Sequence, residues 1–159
     1  MSARVTVTDN GANALLARAR AMRDAKVRVG ILADTPKRER TGRSGKFTLA
    51  QVAQVAYVHE FGAPGANIPQ RSFIRATCDL NRGAIAALQE ALAAQVLQGT
   101  TEPRAALDLL GAKVASMMQV RIASNIPPPL KPATIKRKGS SVALINTGQL
   151  RSSITWAVV

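Results

Sequence analysis

Hydrophobic positions along this chain follow two rhythms, one recurring every second residue and one every three or four. Lys26 to Leu32 alternates, with Val27, Val29 and Ile31 on one side, and predicts a strand. Arg4 to Thr8 alternates β-branched residues and predicts a short second strand, and Ile154 to Val159 predicts a third at the opposite end. Helical spacing fills the interval. Leu15, Leu16, Ala19 and Met22 form a stripe over residues 12–25. Thr48 is placed as the N-cap of a helix over 49–61, with Val52, Val55, Ala56 and His59 on related faces. Gly62 is placed to stop that helix with a left-handed residue, and Pro64 prevents its resumption.

A further helix opens at Ser72 and carries Phe73, Thr77, Leu80, Ala84, Leu88, Leu92 and Val96 to a stop at Gly99, with Gly83 marking a bend. Thr100 to Pro103 is a helix start, and Leu107, Leu110, Val114, Met117 and Met118 carry that helix to about Ser124. Pro127, Pro128 and Pro129 end it and predict an extended polyproline segment. Strands separated by helices define an α+β fold in a single domain, 1–159. The expected sheet is small, antiparallel or mixed, with about three to four strands and long helices packed on one face. A C-terminal helix turn and edge strand at 147–159 complete it.

Charge changes this picture. The chain has 22 Lys and Arg against 9 Asp and Glu, a formal net charge of +13. Five cations, Lys37, Arg38, Arg40, Arg43 and Lys46, fall in one stretch at 34–47, whose residues 36–46 carry no apolar side chain larger than proline, and it predicts an exposed loop. A second basic stretch runs from Lys131 to Lys138 and contains Lys136 and Arg137. Such a balance fits phosphates or an acidic protein surface. No recognition helix accompanies it, so sequence-specific DNA reading is not expected. Aromatics make up only 3% of residues, which argues against single-strand binding on stacking platforms. No apolar run approaches the roughly 20 residues of a membrane span, so no membrane partner is expected, and the first ten residues do not read as a secretory signal. The single cysteine, Cys78, rules out an intramolecular disulfide and fits a reducing compartment.

Catalytic signals are lacking. His59, the lone histidine, reads as a residue that bonds carbonyls at the end of its helix, and Cys78 as a small buried hydrophobe. Glu60 and Asp79 read as surface or capping groups. There is no CxxC, no HxxxH and no carboxylate cluster, and Gly42 to Lys46 lacks the spacing of a phosphate loop. The expectation is a non-enzymatic protein with no catalytic residue, metal or cofactor.

Two blocks add a resemblance. Val55-Ala56-Tyr57-Val58-His59-Glu60-Phe61-Gly62, followed by Ile68-Pro69-Gln70-Arg71-Ser72-Phe73-Ile74-Arg75, resembles a signature of the head–tail joining proteins of long-tailed phages, the neck and tail-completion group. Pro129-Leu130-Lys131-Pro132-Ala133-Thr134-Ile135, Lys138, Leu144-Ile145-Asn146-Thr147-Gly148-Gln149-Leu150 and Ser153-Ile154 are similar to the ending of the same group. Ser72 stands where many relatives have proline, and the 63–67 loop is long. The resemblance implies a virion protein at the head–tail junction, assembled in the host cytoplasm. It would form a homo-oligomeric ring, a hexamer or dodecamer, between connector and tail proteins around the DNA channel. In the motifs, Phe73 would anchor a helix, Thr147 would cap, Gly148 would allow close approach, and Leu150 and Ile154 would dock the last turn. Arg71 and Arg75 would pair with a carboxylate of the same or an adjacent subunit. With Lys37, Arg38, Arg40, Arg43, Lys46, Lys136, Arg137 and Lys138 they make the expected interface set, with non-specific contact to DNA in the channel. Alternatives are a tail terminator capping the tube and a DNA-binding packaging accessory.

Overall fold

The computed structural model describes residues 11–32 and 48–159, and for Leu49 the backbone only. Among these residues the order is α1 (Ala12–Asp24), β1 (Val27–Gly30), α2 (Leu49–Phe61), a 3₁₀ turn (Pro64–Ala66), α3 (Arg75–Leu80), α4 (Arg82–Gln98), α5 (Pro103–Ala123), α6 (Pro132–Lys138), α7 (Gln149–Ser152) and β2 (Thr155–Val158). The fold is α+β and mostly helical. The expected strand at Arg4–Thr8 and the basic loop at 34–47 lie outside the described residues.

The axis of the core is α5. Ala106, Leu110, Val114, Met118 and Ile122 recur every fourth residue and are all buried, with Gly111 and Ala115 beside them. This stripe packs against α4, α3, α7 and both strands. Phe73, Thr77 and Val96 come from α3, its approach and α4, and are fully buried with Met118 and Ile122.

The sheet has two strands among the described residues, where three to four were expected. β1 and β2 pair antiparallel, Val27 opposite Val158 and Gly30 opposite Thr155, and reciprocal bonds between Lys26 and Val159 extend the ladder. Period-2 alternation puts Val27, Val29 and Trp156 on the side of α5 and leaves Arg28 exposed.

Other expectations need correction. The predicted helix from Ser72 to Gln98 is two helices, broken at Asn81 rather than bent at Gly83; the Asn81 amide bonds the Thr77 carbonyl. The break rotates the apolar face, so Leu80 is exposed and Ile85 packs on the core instead. The α1 stripe is largely unburied: Leu15 and Leu16 are exposed and only Met22 packs against the core. The second basic stretch, for which no element was predicted, is helical: Pro132 opens α6 and Gly139 closes it with a left-handed residue. The Pro127–Pro128 peptide is cis, where a plain extended run was expected.

Gly111 shows how closely sheet and helix approach. A Cβ there would lie 2.6 Å from Trp156 Cδ1 and 2.8 Å from Val27 Cγ2. Helix propensity alone favours alanine by about 1 kcal/mol. Overpacking opposes it by about 1–3 kcal/mol. Gly111→Ala is expected to destabilise the fold and to shift the fluorescence of Trp156, the only tryptophan, in urea titrations followed at its emission.

Candidate functional site

The first motif block forms a polar corner between α2 and α3. Thr48 starts α2 with a capping box: its hydroxyl accepts from Gln51 N, and the Gln51 side chain accepts from Thr48 N. Twelve residues later the helix delivers Glu60 into the interior, 4% exposed. Gly62 then ends α2 with φ +78°, and Gln70 N lies where a side chain at Gly62 would stand.

Glu60 satisfies a helix start from another element. Its Oε2 accepts from Phe73 N and Ile74 N, both at 2.9 Å. Its Oε1 accepts from Ser72 Oγ at 2.7 Å and Arg75 N at 3.1 Å. These amides are the donors that α3 itself cannot pair. Burial pushes the Glu60 carboxyl upward, but the bonds from Ile74, Ser72, Arg75 and Phe73 outweigh it and hold the group below its ordinary 4.5. The expected pairing of Arg75 with a carboxylate is present, at 3.4 Å to Glu60, and its guanidinium lies 4.7 Å from the Phe61 ring centroid.

Arg71 corrects the expectation made for it. It is 4% exposed, so it does not reach the surface as an interface residue. Nor does it meet a carboxylate: Nε donates to the Ile126 carbonyl at 3.2 Å and Nη2 to that of Pro128 at 2.6 Å. It therefore ties the corner to the chain just beyond α5. Arg121 Nε reinforces the tie by donating to the Ser72 carbonyl.

The second motif block lies against the first. Leu150 and Ile154 are buried, as the motif implies, and α7 contacts α2. Thr147 Oγ1 accepts from Gln149 N. Gly148 is needed for φ +77° rather than for close approach, since nothing lies within 4 Å of an added Cβ. Lys138 is half-buried, and its Nζ donates to the carbonyls of Val142 and Ala143. Lys136 and Arg137 are exposed. Lys37, Arg38, Arg40, Arg43 and Lys46 lie outside the described residues.

Between α2 and the α6–α7 segment runs a groove of about 390 Å³. Val52, Leu144 and Leu150 floor it, and His59, Arg137 and Lys138 line it. His59 does not bond terminal carbonyls. Its Nδ1 is buried without a partner, and burial, then Arg71 and Lys138, lower its pKa below 6.5. Cys78 is exposed on α3, not buried, and does not line this groove. Sequence reasoning missed the depth of Glu60, the α6 helix and Asn125, whose left-handed φ of 54° lets Oδ1 accept from Ala143 N. An asparagine just past a helix end is the signal that was available for the last.

Glu60→Gln replaces one acceptor oxygen by a donor facing amide hydrogens. A loss of about 2–4 kcal/mol is expected. Arg75→Ala, whose side chain is 57% exposed, is expected to cost less than about 1 kcal/mol. Because the folded pKa of Glu60 is depressed, its contribution is complete above 4.5 and is lost as pH falls through the folded value. Urea titrations from neutral to acid pH check both points, and the acid step assigned to Glu60 should vanish in Glu60→Gln.

Among the described residues no group of three His, Cys, Asp or Glu is placed to hold a metal, and no helix is long and apolar enough to cross a membrane. No family model, no curated protein and no solved structure matches the chain.

Proposed function

We propose that this chain is a structural virion protein, one subunit of a ring at the head–tail junction of a long-tailed phage, needed for joining head to tail. The observation that carries the reading is the way the two resembling blocks meet. They stand more than fifty residues apart in sequence, yet α2 and α7 lie in contact, and Arg71 of the first block bonds the Pro128 carbonyl at the threshold of the second. Residues that would be scattered surface positions in a chance match instead make one connected unit.

Two further features support a subunit that needs neighbours. Tyr57, Phe61, Leu80, Leu109 and Val120 are large apolar side chains left exposed, available to be covered by a neighbour. The rings of Tyr57 and Phe61 meet at a tilt of 43° with centroids 4.7 Å apart, and Arg75 lies over Phe61; Tyr and Arg are residue types that concentrate at interface centres. Closure around an axis gives each subunit the same neighbours. A tail terminator capping the tail tube is the alternative role within this reading.

The charge of +13 favours a second reading, a non-specific DNA-binding packaging accessory. Cryo-EM of virions carrying the chain separates these. Density for six or twelve copies on the channel axis between connector and tail is the expected result. Density off the axis, or absence from the finished particle together with salt-dependent DNA retention, overturns it.

A further inference from the structure

The groove between α2 and the α6–α7 segment combines a polar atom without a partner, cations without a carboxylate, and an apolar floor. Among the described residues no Asp or Glu lines it. Arg137 is exposed and makes no hydrogen bond or ion pair to the described residues. Lys138 Nζ uses two of its three donors on Val142 and Ala143, which fixes the ammonium in place with one donor left. His59 Nδ1 is buried and unpaired at the same wall, and buried polar atoms are nearly always paired.

We propose that this groove binds a short acidic peptide segment of a neighbouring protein, with an Asp or Glu side chain against Lys138 and Arg137 and aliphatic side chains on the Val52–Leu144–Leu150 floor. Charge complementarity selects the occupant. The chain's own stretch at 34–47, with five cations against the two acids Asp34 and Glu39, carries the same net sign as these walls and is no charge complement to them. A DNA backbone satisfies the cations but offers nothing to the apolar floor. A free inorganic anion leaves that floor equally uncovered. The groove volume of about 390 Å³ fits a few residues in extended form. Backbone groups of such a segment also supply the hydrogen-bonding partner that His59 Nδ1 lacks. The charged groups facing His59 are Arg71 and Lys138, with Glu60 adjacent in sequence but engaged with α3. That the segment comes from an adjacent ring protein rests on the head–tail reading; the binding itself does not.

His59 is the only histidine, so its ring protons report on the groove without assignment ambiguity. The experiment is an NMR titration of the full chain with three probes: a short peptide alternating Leu and Glu, its Leu and Gln counterpart, and a short DNA duplex. The Leu–Glu peptide is expected to move the His59 signals and raise their titration midpoint, and to bind at least ~10-fold more tightly than the Leu–Gln peptide. Arg137→Glu, an exposed substitution, is expected to weaken the Leu–Glu peptide by ~10-fold with thermal unfolding unchanged. Equal binding of the two peptides, peptide binding that leaves His59 unmoved, or no binding at all overturns the proposal. So does a duplex that moves His59 as strongly as the Leu–Glu peptide, which makes the groove a phosphate site. None of these results alters where the chain sits in a virion, so failure of the groove and failure of the ring remain separate.

Discussion

A buried carboxylate, Glu60, is the constraint around which the rest of this structure is arranged. Leaving a charge in the interior unpaired costs several kcal/mol, so everything near it is set by the need to supply hydrogen bonds. Three backbone amides and a serine hydroxyl do so, and the amides lie at and just before the start of α3, where the helix itself supplies no acceptor. One interaction thus holds the end of α2, the start of α3 and the position of Phe73 at once. Phe73 is fully buried against the α5 stripe, so the orientation of the corner also sets the packing of the core.

Arg71 carries that constraint to the other half of the chain. Its guanidinium bonds two carbonyls beyond α5, fixing the approach to α6, and Lys138 in turn fixes the segment that leads to α7. The groove is the space left where these two tied segments face each other. Of the two cations that line it, Lys138 is held there as a backbone tie, and Arg137 has no such role among the described residues. The proposed function and the proposed groove therefore draw on one framework, but they depend on different surfaces of it.

How far this was legible in the sequence depends on range. Signals confined to a few residues read well: the Thr48 cap, the Gly62 and Gly99 stops, the Pro103 start, and the strands Val27–Gly30 and Thr155–Val158. Long-range roles did not. Nothing in the spacing of Glu60 says that its carboxylate reaches Ile74 across a turn, or that Arg71 meets main-chain carbonyls some 55 residues away rather than an acid. The single helix expected from Ser72 onward failed because Asn81 competes for the Thr77 carbonyl, a local bond that propensity does not count. α1 has a hydrophobic stripe that the described residues do not cover, so periodicity there overstated burial.

The central claim, that the Glu60 corner is the architectural joint of the domain and not a loose surface cap, is tested most directly by native-state amide hydrogen exchange. The amides of Phe73, Ile74 and Arg75 would be unpaired at an ordinary helix start and would exchange rapidly. With Glu60 as their acceptor, they should exchange only as slowly as the α5 core amides of Met118 and Ile122, through global unfolding. Rapid exchange at these three positions while α5 stays protected would contradict the account.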